Sequence, residues 1–333
     1  MSAKLKTKAT GAFLMVSDAS LDISRRQFLT AGSLTVAAAC LAPDCLFAQE
    51  DGLVGGAFKA AATAGVTVQN LRRNISVLLG AGGNIAVLTG PDGKLLVDAE
   101  IITAGPNVAK ALASINADPI KQLINTHWHF DHTGGNEWVH ATGANILAHE
   151  NTRKHLSTAT RVEGNWQHTF PPSPAGAIPS TVFKDEHTLH INNTILLLKY
   201  YPPAHTDSDI SVFFPEADIL HTGDTFWNRD YPFIDYATGG SIDGHIRAAE
   251  RNIAATTDKT IVIPGHGAVG GKADLVLFRD VLVEIRDKVA ALKRQGKSLP
   301  EVIAAKPGAR YDAEWGNLFQ NPSDFVALVY QGV

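Results

Sequence analysis

From residue 75 onward the apolar positions fall in short runs separated by turn-forming residues. Residues 75–79, 85–89 and 95–97 read as strands, broken by Gly82-Gly83-Asn84 and Pro91-Asp92-Gly93. This predicts a meander of hairpins. Residues 107–115 then read as a helix, 122–125 as a buried strand and 146–148 as another short strand. Four prolines within residues 169–179 predict a loop. Residues 188–191 and 195–200 form a hairpin around Asn192-Asn193, and 211–214 and 219–221 a second around residues 215–218. A helix over 243–254, a strand over 260–263 and a long amphipathic helix over 272–294, stopped at Gly296, follow. Shorter helices are expected over 58–64, 299–305 and 323–329. With no repeat and no linker, this order predicts one α/β domain in which helices cover two packed sheets.

The first fifty residues have a different texture. Ser24-Arg25-Arg26-Gln27-Phe28-Leu29 is a twin-arginine export pattern, and the apolar, uncharged stretch 28–41 follows it. That stretch is short for a membrane span and carries Gly32 and Ser33, so residues 1–48 are expected to be a signal peptide. Residues 49–333 are then a single periplasmic domain. Contact with the membrane follows only if the signal is retained as an anchor or if a cut at Ala39 exposes Cys40 for lipidation. Both cysteines, Cys40 and Cys45, leave with the signal, so any metal site must use imidazole and carboxylate. Five bases and three acids leave as well, taking the formal net charge from −4 to −6. No basic field suggests a nucleic-acid partner.

One histidine cluster is dense. His127-Trp128-His129-Phe130-Asp131-His132 gives H-x-H-x-D-H directly after the strand at 122–125. Four potential ligands at a strand end can converge on one point as the backbone turns, and neutral imidazole and carboxylate suit zinc and related ions. Gly134-Gly135 permits a tight turn into a helix starting near Asn136. His205, Asp224 and His266 each follow another expected strand. They repeat one design, a polar side chain on a loop just past a buried strand.

From about residue 75 to 267 the chain resembles the metallo-β-lactamase fold superfamily. Asp98 matches its first motif, H-x-H-x-D-H the second, and His205, Asp224 and His266 the third, fourth and fifth, in order. The resemblance implies a four-layer αββα sandwich with two metal ions at one edge of the sheets, zinc in the first instance, with iron or manganese as options. It implies that His127, His129 and His205 hold one ion, that Asp131, His132 and His266 hold the second, and that Asp224 bridges. Asp98 would support a ligand loop rather than bind metal.

The resemblance further implies a hydrolase. Two ions a few ångströms apart lower the pKa of a shared water to about neutrality, and the hydroxide attacks a carbonyl or phosphoryl centre of a small-molecule substrate. Asp131 is placed to orient that hydroxide and to carry a proton. The expected substrates are esters, lactones or related amides. β-Lactamases of this fold usually have Cys or Ser where Asp224 stands, so β-lactam hydrolysis is an alternative rather than the first reading. Glyoxalase II-like hydrolases carry a Gly-Cys-Gly-Arg run where this chain has residues 225–231, which argues against a glutathione thioester. A mononuclear iron oxygenase of the persulfide dioxygenase kind is a second alternative, separable by metal stoichiometry. Trp227 and Tyr231, with Phe233 and Tyr236, are read as one wall of a substrate pocket.

Overall fold

Alternation of apolar side chains across two sheets builds the centre of the protein. In the computed structural model, residues 52–316 and 319–333 are described, all within the compact unit Phe47–Val333. The expected signal peptide and its boundary lie outside the described residues.

In chain order the elements are α1 (Gly52–Thr63), β1 (Thr67–Asn70), β2 (Ile75–Leu79), β3 (Ile85–Leu88), β4 (Lys94–Val97), α2 (Gly105–Ile115) and β5 (Ile120–Ile124). Next come α3 (Phe130–Thr133), α4 (Asn136–Ala141), β6 (Asn145–His149), α5 (Glu150–Leu156), β7 (Thr160–Val162), β8 (His168–Phe170) and β9 (Thr181–Phe183). The second half holds β10 (Glu186–Ile191), β11 (Thr194–Tyr200), β12 (Ile210–Phe214), β13 (Ile219–His221), α6 (Ile242–Ala254) and β14 (Ile261–Ile263). It closes with α7 (Lys272–Arg294), α8 (Leu299–Ala304), α9 (Asp312–Trp315) and α10 (Pro322–Gly332).

The larger sheet runs β1-β2-β3-β4-β5-β6-β9, antiparallel through β4 and parallel from there. The smaller runs β10-β11-β12-β13-β14, with only β13 and β14 parallel. Side chains on a strand alternate between faces. On β2, Ile75 and Val77 turn inward to a core shared with Leu196, Leu198, Val212 and Ile219 of the smaller sheet. Leu78 turns outward to pack with Val108 and Leu112 of α2. Behind the smaller sheet, α6, α7, α8 and α10 cover Val262 with an aromatic-rich core. The layers are therefore helix, sheet, sheet, helix, as the resemblance implies.

Helix α7 has the bounds its sequence predicts. Leu275, Phe278, Val281, Leu282, Ile285 and Val289 recur every three or four residues and make one buried stripe. The Asp274 carboxylate accepts from the Gly271 N–H at the helix start. Burial of each such side chain stabilises the fold by roughly 1.5–3 kcal/mol, so Phe278→Ala at this stripe costs about 3–5 kcal/mol.

The differences are local. The N-terminal helix begins at Gly52, ahead of the expected 58–64. Strands β1, β7, β8 and β9 and helices α3, α5 and α9 have no counterpart in the hydrophobic pattern. Most span three or four residues, too few to show a period. Strand β8 pairs antiparallel with β7 and takes the start of the expected proline loop, whose remainder stays irregular apart from one short turn at Ala175–Ala177.

Candidate metal centre

The larger sheet delivers four of the candidate ligands from one turn. Because β4 and β5 are parallel neighbours, their C-terminal ends lie side by side. Asp98 ends β4 with a left-handed backbone, φ 68°. Its carboxylate accepts from the Thr126 N–H at 2.7 Å and from the Thr126 hydroxyl at 2.7 Å, and it lies 2.8 Å from His132 Nδ1. Asp98 thus fixes the first residue of the ligand turn and one of its histidines, while taking no place in the cluster itself. Gly83 is needed for close approach, since a Cβ there would lie 2.3 Å from the His132 ring.

The smaller sheet delivers three ligands from three strand ends. The Asp209 carboxylate accepts from the backbone N–H groups of His205 and Thr206 and from the Thr206 hydroxyl, shaping the turn after β11. Burial pushes Asp209 up to about 7 against those hydrogen bonds. Asp224 follows β13, and its backbone carbonyl lies 2.9 Å from His245 Nε2 of α6. Seven residues further along α6, Asn252 donates to the Thr225 hydroxyl, so one helix face grips this turn. His266 follows β14. Gly265 before it leaves no room for a side chain, because a Cβ would lie 1.9 Å from Asp224 Oδ1. Asn84, at the start of β3, clasps this last turn. Its N–H donates to the Gly265 carbonyl, and its side-chain amide donates to the carbonyls of Pro264 and Gly267.

All seven candidate ligands come together and are buried. Three groups have ligand atoms within 4.8 Å of one another: His127, His129 and His205; His127, His132 and Asp224; and Asp131, His132 and His266. Asp224 lies between the outer two groups. Its Oδ2 is 3.4 Å from His205 Nε2 and 3.3 Å from His266 Nε2, and its Oδ1 is 3.0 Å from His132 Nε2. Asp131 Oδ2 is 3.2 Å from His266 Nε2.

The donor set fits a cation. The outward nitrogens of His129 and His205 face acceptors, which assigns their hydrogens there and turns a lone pair of each inward. His205 Nδ1 lies 2.8 Å from the Phe233 carbonyl, and His129 Nε2 lies 3.1 Å from the Asp235 carboxylate. Their inward nitrogens, His205 Nε2 and His129 Nδ1, are then two lone pairs 2.8 Å apart. That arrangement is unfavourable unless a positive charge sits between them. Burial, eased only in part by Asp224, drives His205 down to about 3, so His205 itself does not carry that charge as a proton. His127 Nε2 is buried without a hydrogen-bond partner, as an open ligand position is.

The two sides of the cluster differ in charge. Burial and the neighbouring His132 hold His127 well below its ordinary value. Burial opposes charge on His132 and His266 too, but there Asp224 and Asp131 outweigh it. His132 is carried well above its usual range and His266 to about 9. Burial likewise works against charge on Asp224, but His132 and His266 carry its carboxyl well below the normal range. An incoming cation must therefore displace protons from His132 and His266.

Two substrate-wall expectations meet different outcomes. Trp227 is buried but borders the centre, its ring 4.2 Å from that of His266. Tyr231 does not: it is 0% exposed, stacks on Phe325 at 4.5 Å and donates its hydroxyl to Asp312. Tyr231 belongs to the core between the smaller sheet and the helices, because the chain turns inward after Arg229. Asp235, which orients His129, and Trp166, whose ring is 4.9 Å from His129, are absent from the sequence reading. Asp235 and Thr238 form a recognisable local turn, in which Asp235 accepts from the Thr238 N–H and hydroxyl. Nothing in that spacing points to a histidine 106 residues away.

Residues 79–266 match the metallo-beta-lactamase superfamily, and the chain belongs to that superfamily. A hydroxyacylglutathione hydrolase of Polaromonas sp. is 28% identical over 172 residues, 51% of this chain and 57% of that protein. A metallo-beta-lactamase type 2 of Pseudomonas aeruginosa is 29% identical over 105 residues, 31% of this chain and 36% of the other. The chain thus spans little more than half the length of the first of these. A stereoselective inverting sec-alkylsulfatase from Pseudomonas sp. superposes with a TM-score of 0.60 at 16% identity, covering 83% of this chain and 51% of that one. A metallo-beta-lactamase from Pontibacter korlensis superposes at 0.55 with 17% identity, over 66% of this chain and 99% of the other. These structural likenesses bear on the fold.

Proposed function

We propose that this protein is a metal-dependent hydrolase that holds two zinc ions and cleaves an ester or lactone. The observation that carries the reading is the position of Asp224, whose carboxylate lies within 3.4 Å of His205 on one side and 3.3 Å of His266 on the other. His127, His129 and His205 would hold one ion and Asp131, His132 and His266 the second. When bound, such a pair supplies a water of lowered pKa and polarises the substrate oxygen.

The chain's own groups do the rest. Asp131 is the least buried of the seven, at 6% exposed, and is the ligand a water would reach first. It orients that water, takes up its proton and returns it to the leaving oxygen. Asp98 and Asp235 hold His132 and His129 in their ligating orientation. Several relatives are named hydroxyacylglutathione hydrolase. The run after Asp224 lacks the Gly-Cys-Gly-Arg expected for a glutathione thioester, which favours an oxygen ester or lactone. The bridging carboxylate, in place of Cys or Ser, disfavours a dedicated β-lactamase. Residues 1–48 are proposed as a twin-arginine signal, placing the enzyme in the periplasm.

The test is metal content per chain of protein purified without added metal, with a panel of chromogenic ester, lactone, phosphodiester and cephalosporin substrates. Two equivalents of zinc and turnover of ester or lactone support the reading. One equivalent of iron without hydrolysis overturns it.

A further inference from the structure

Asp131 at 6% and Asp224 and His266 at 3% are the most exposed members of the cluster, and His129 and His205 are more deeply buried. Aromatic rings stand beside a candidate ligand of each group. Phe319 is 44% exposed, one of three exposed large apolar side chains among the described residues, and its ring is 5.0 Å from His266 and 5.5 Å from Trp227. Beside the other group, half-buried Trp166 lies 4.9 Å from His129 and 5.4 Å from Phe130, the neighbour of Asp131. Trp166 is held flat against Phe233 at 4.7 Å and 10°, so its ring is pre-set on the turn between β7 and β8. An isolated exposed phenyl means little, but one set against a candidate ligand is placed to meet whatever reaches that ligand.

Charge recognition has no counterpart there. Among the described residues, no lysine or arginine hydrogen-bonds or ion-pairs with any of the seven candidate ligands. Arg229, the base nearest Asp224 in sequence, pairs with Glu314 at 2.9 Å and Asp274 at 3.7 Å. A substrate with a second anionic group would find no cationic partner bonded into this centre.

We propose that Phe319 and Trp166 form an aromatic cradle for the uncharged aryl substituent of the substrate's acyl group. The assignment rests on the metal-bearing reading of the cluster. The carboxyl end of such an acyl group lies at the cluster, and its ring lies between the two aromatic faces. Offset or edge-on ring contacts and the apolar area they cover then set the preference.

The experiment compares the affinities of phenylacetate and acetate for the zinc-loaded full chain by calorimetry, in the wild type, Phe319→Ala and Trp166→Ala. Both probes carry the carboxylate that the cluster would hold, and only one carries the ring. The wild type is expected to bind phenylacetate at least about tenfold tighter than acetate. That ratio falls to within about threefold in either variant while metal content stays at the wild-type level. Phe319 is exposed, so Phe319→Ala reads the cradle even if the Trp166 variant fails to fold. A wild-type ratio near one, or a ratio unchanged in Phe319→Ala, overturns the cradle and leaves the metal centre standing. A wild type that holds metal but binds neither probe overturns the cradle alone, and one that holds no metal overturns both.

Discussion

The two sheets supply ligands in opposite ways. The larger sheet gives His127, His129, Asp131 and His132 from one turn after β5, with β4 alongside to brace it. The smaller sheet gives His205, Asp224 and His266 singly, from the ends of β11, β13 and β14. The first set is arranged by backbone geometry within six residues, and Asp98 is its main outside tie. Each member of the second set needs its own brace: Asp209 for the His205 turn, His245 and Asn252 for the Asp224 turn, Asn84 for the His266 turn. A local turn can be built by sequence alone, whereas a composite of three strand ends exists only when the sandwich is assembled.

Substitutions test that contrast. His129→Ala removes a ligand from the local turn and is expected to abolish turnover of the hydrolysed substrate while the far-ultraviolet circular dichroism stays native. An unchanged kcat would sink the ligand assignment. Asp224→Ala would touch both of the proposed ions at once. Metal analysis should show fewer than two equivalents retained, and full retention would mean that the local turn suffices by itself. Asp98→Asn and Asp235→Asn leave every ligand in place but loosen one histidine each. Zinc affinity measured by chelator competition should drop about 10–100-fold in each, and identical affinities would remove their orienting role.

Acidity gives a subtler comparison. In the metal-free protein His266 is carried from 6.5 to about 9, chiefly by Asp224 and Asp131 working against burial. A raised folded pKa means that this contribution to stability is complete below about pH 6.5 and is lost as pH climbs through about 9. His132 shifts in the same direction. The melting temperature of metal-free protein should therefore fall from pH 6.5 to 9.5, whereas zinc affinity should rise over that range as the competing protons leave. A melting temperature that climbs with pH would contradict the charge assignment. The smallest effect belongs to Tyr231→Phe, which loses one hydrogen bond to Asp312. About 1 kcal/mol of stability should go, with KM unchanged, and a marked rise in KM would return Tyr231 to the substrate wall.

Legibility in the sequence follows the same division. H-x-H-x-D-H announces itself because its spacing is its geometry. Helix α7 is read to the residue because its stripe is long and its ends carry Gly271 and Gly296. His205, Asp224 and His266 are visible only as a recurring arrangement after strands, which gains meaning from the superfamily pattern. Asp235 and Trp166 carry no such mark, since what defines them is a partner reached through the fold, His129 in both cases. Tyr231 shows the reverse error. An aromatic residue a few positions past a ligand looks the same in one dimension whether it lines a pocket or fills a core.

The Asn84 clasp carries a further implication for synthesis. Its backbone N–H and side-chain amide wait for carbonyls at positions 264, 265 and 267, about 180 residues downstream. Contacts of such separation close late, after the costly ordering of the intervening loop. While the chain emerges from the ribosome, the ligand turn after β5 is complete long before its last partner, His266, exists. Any ion caught early can be gripped by one side only, and the full cage closes when the final strand of the smaller sheet clicks into register. Acquisition of the proposed metal would thereby be tied to completion of the fold.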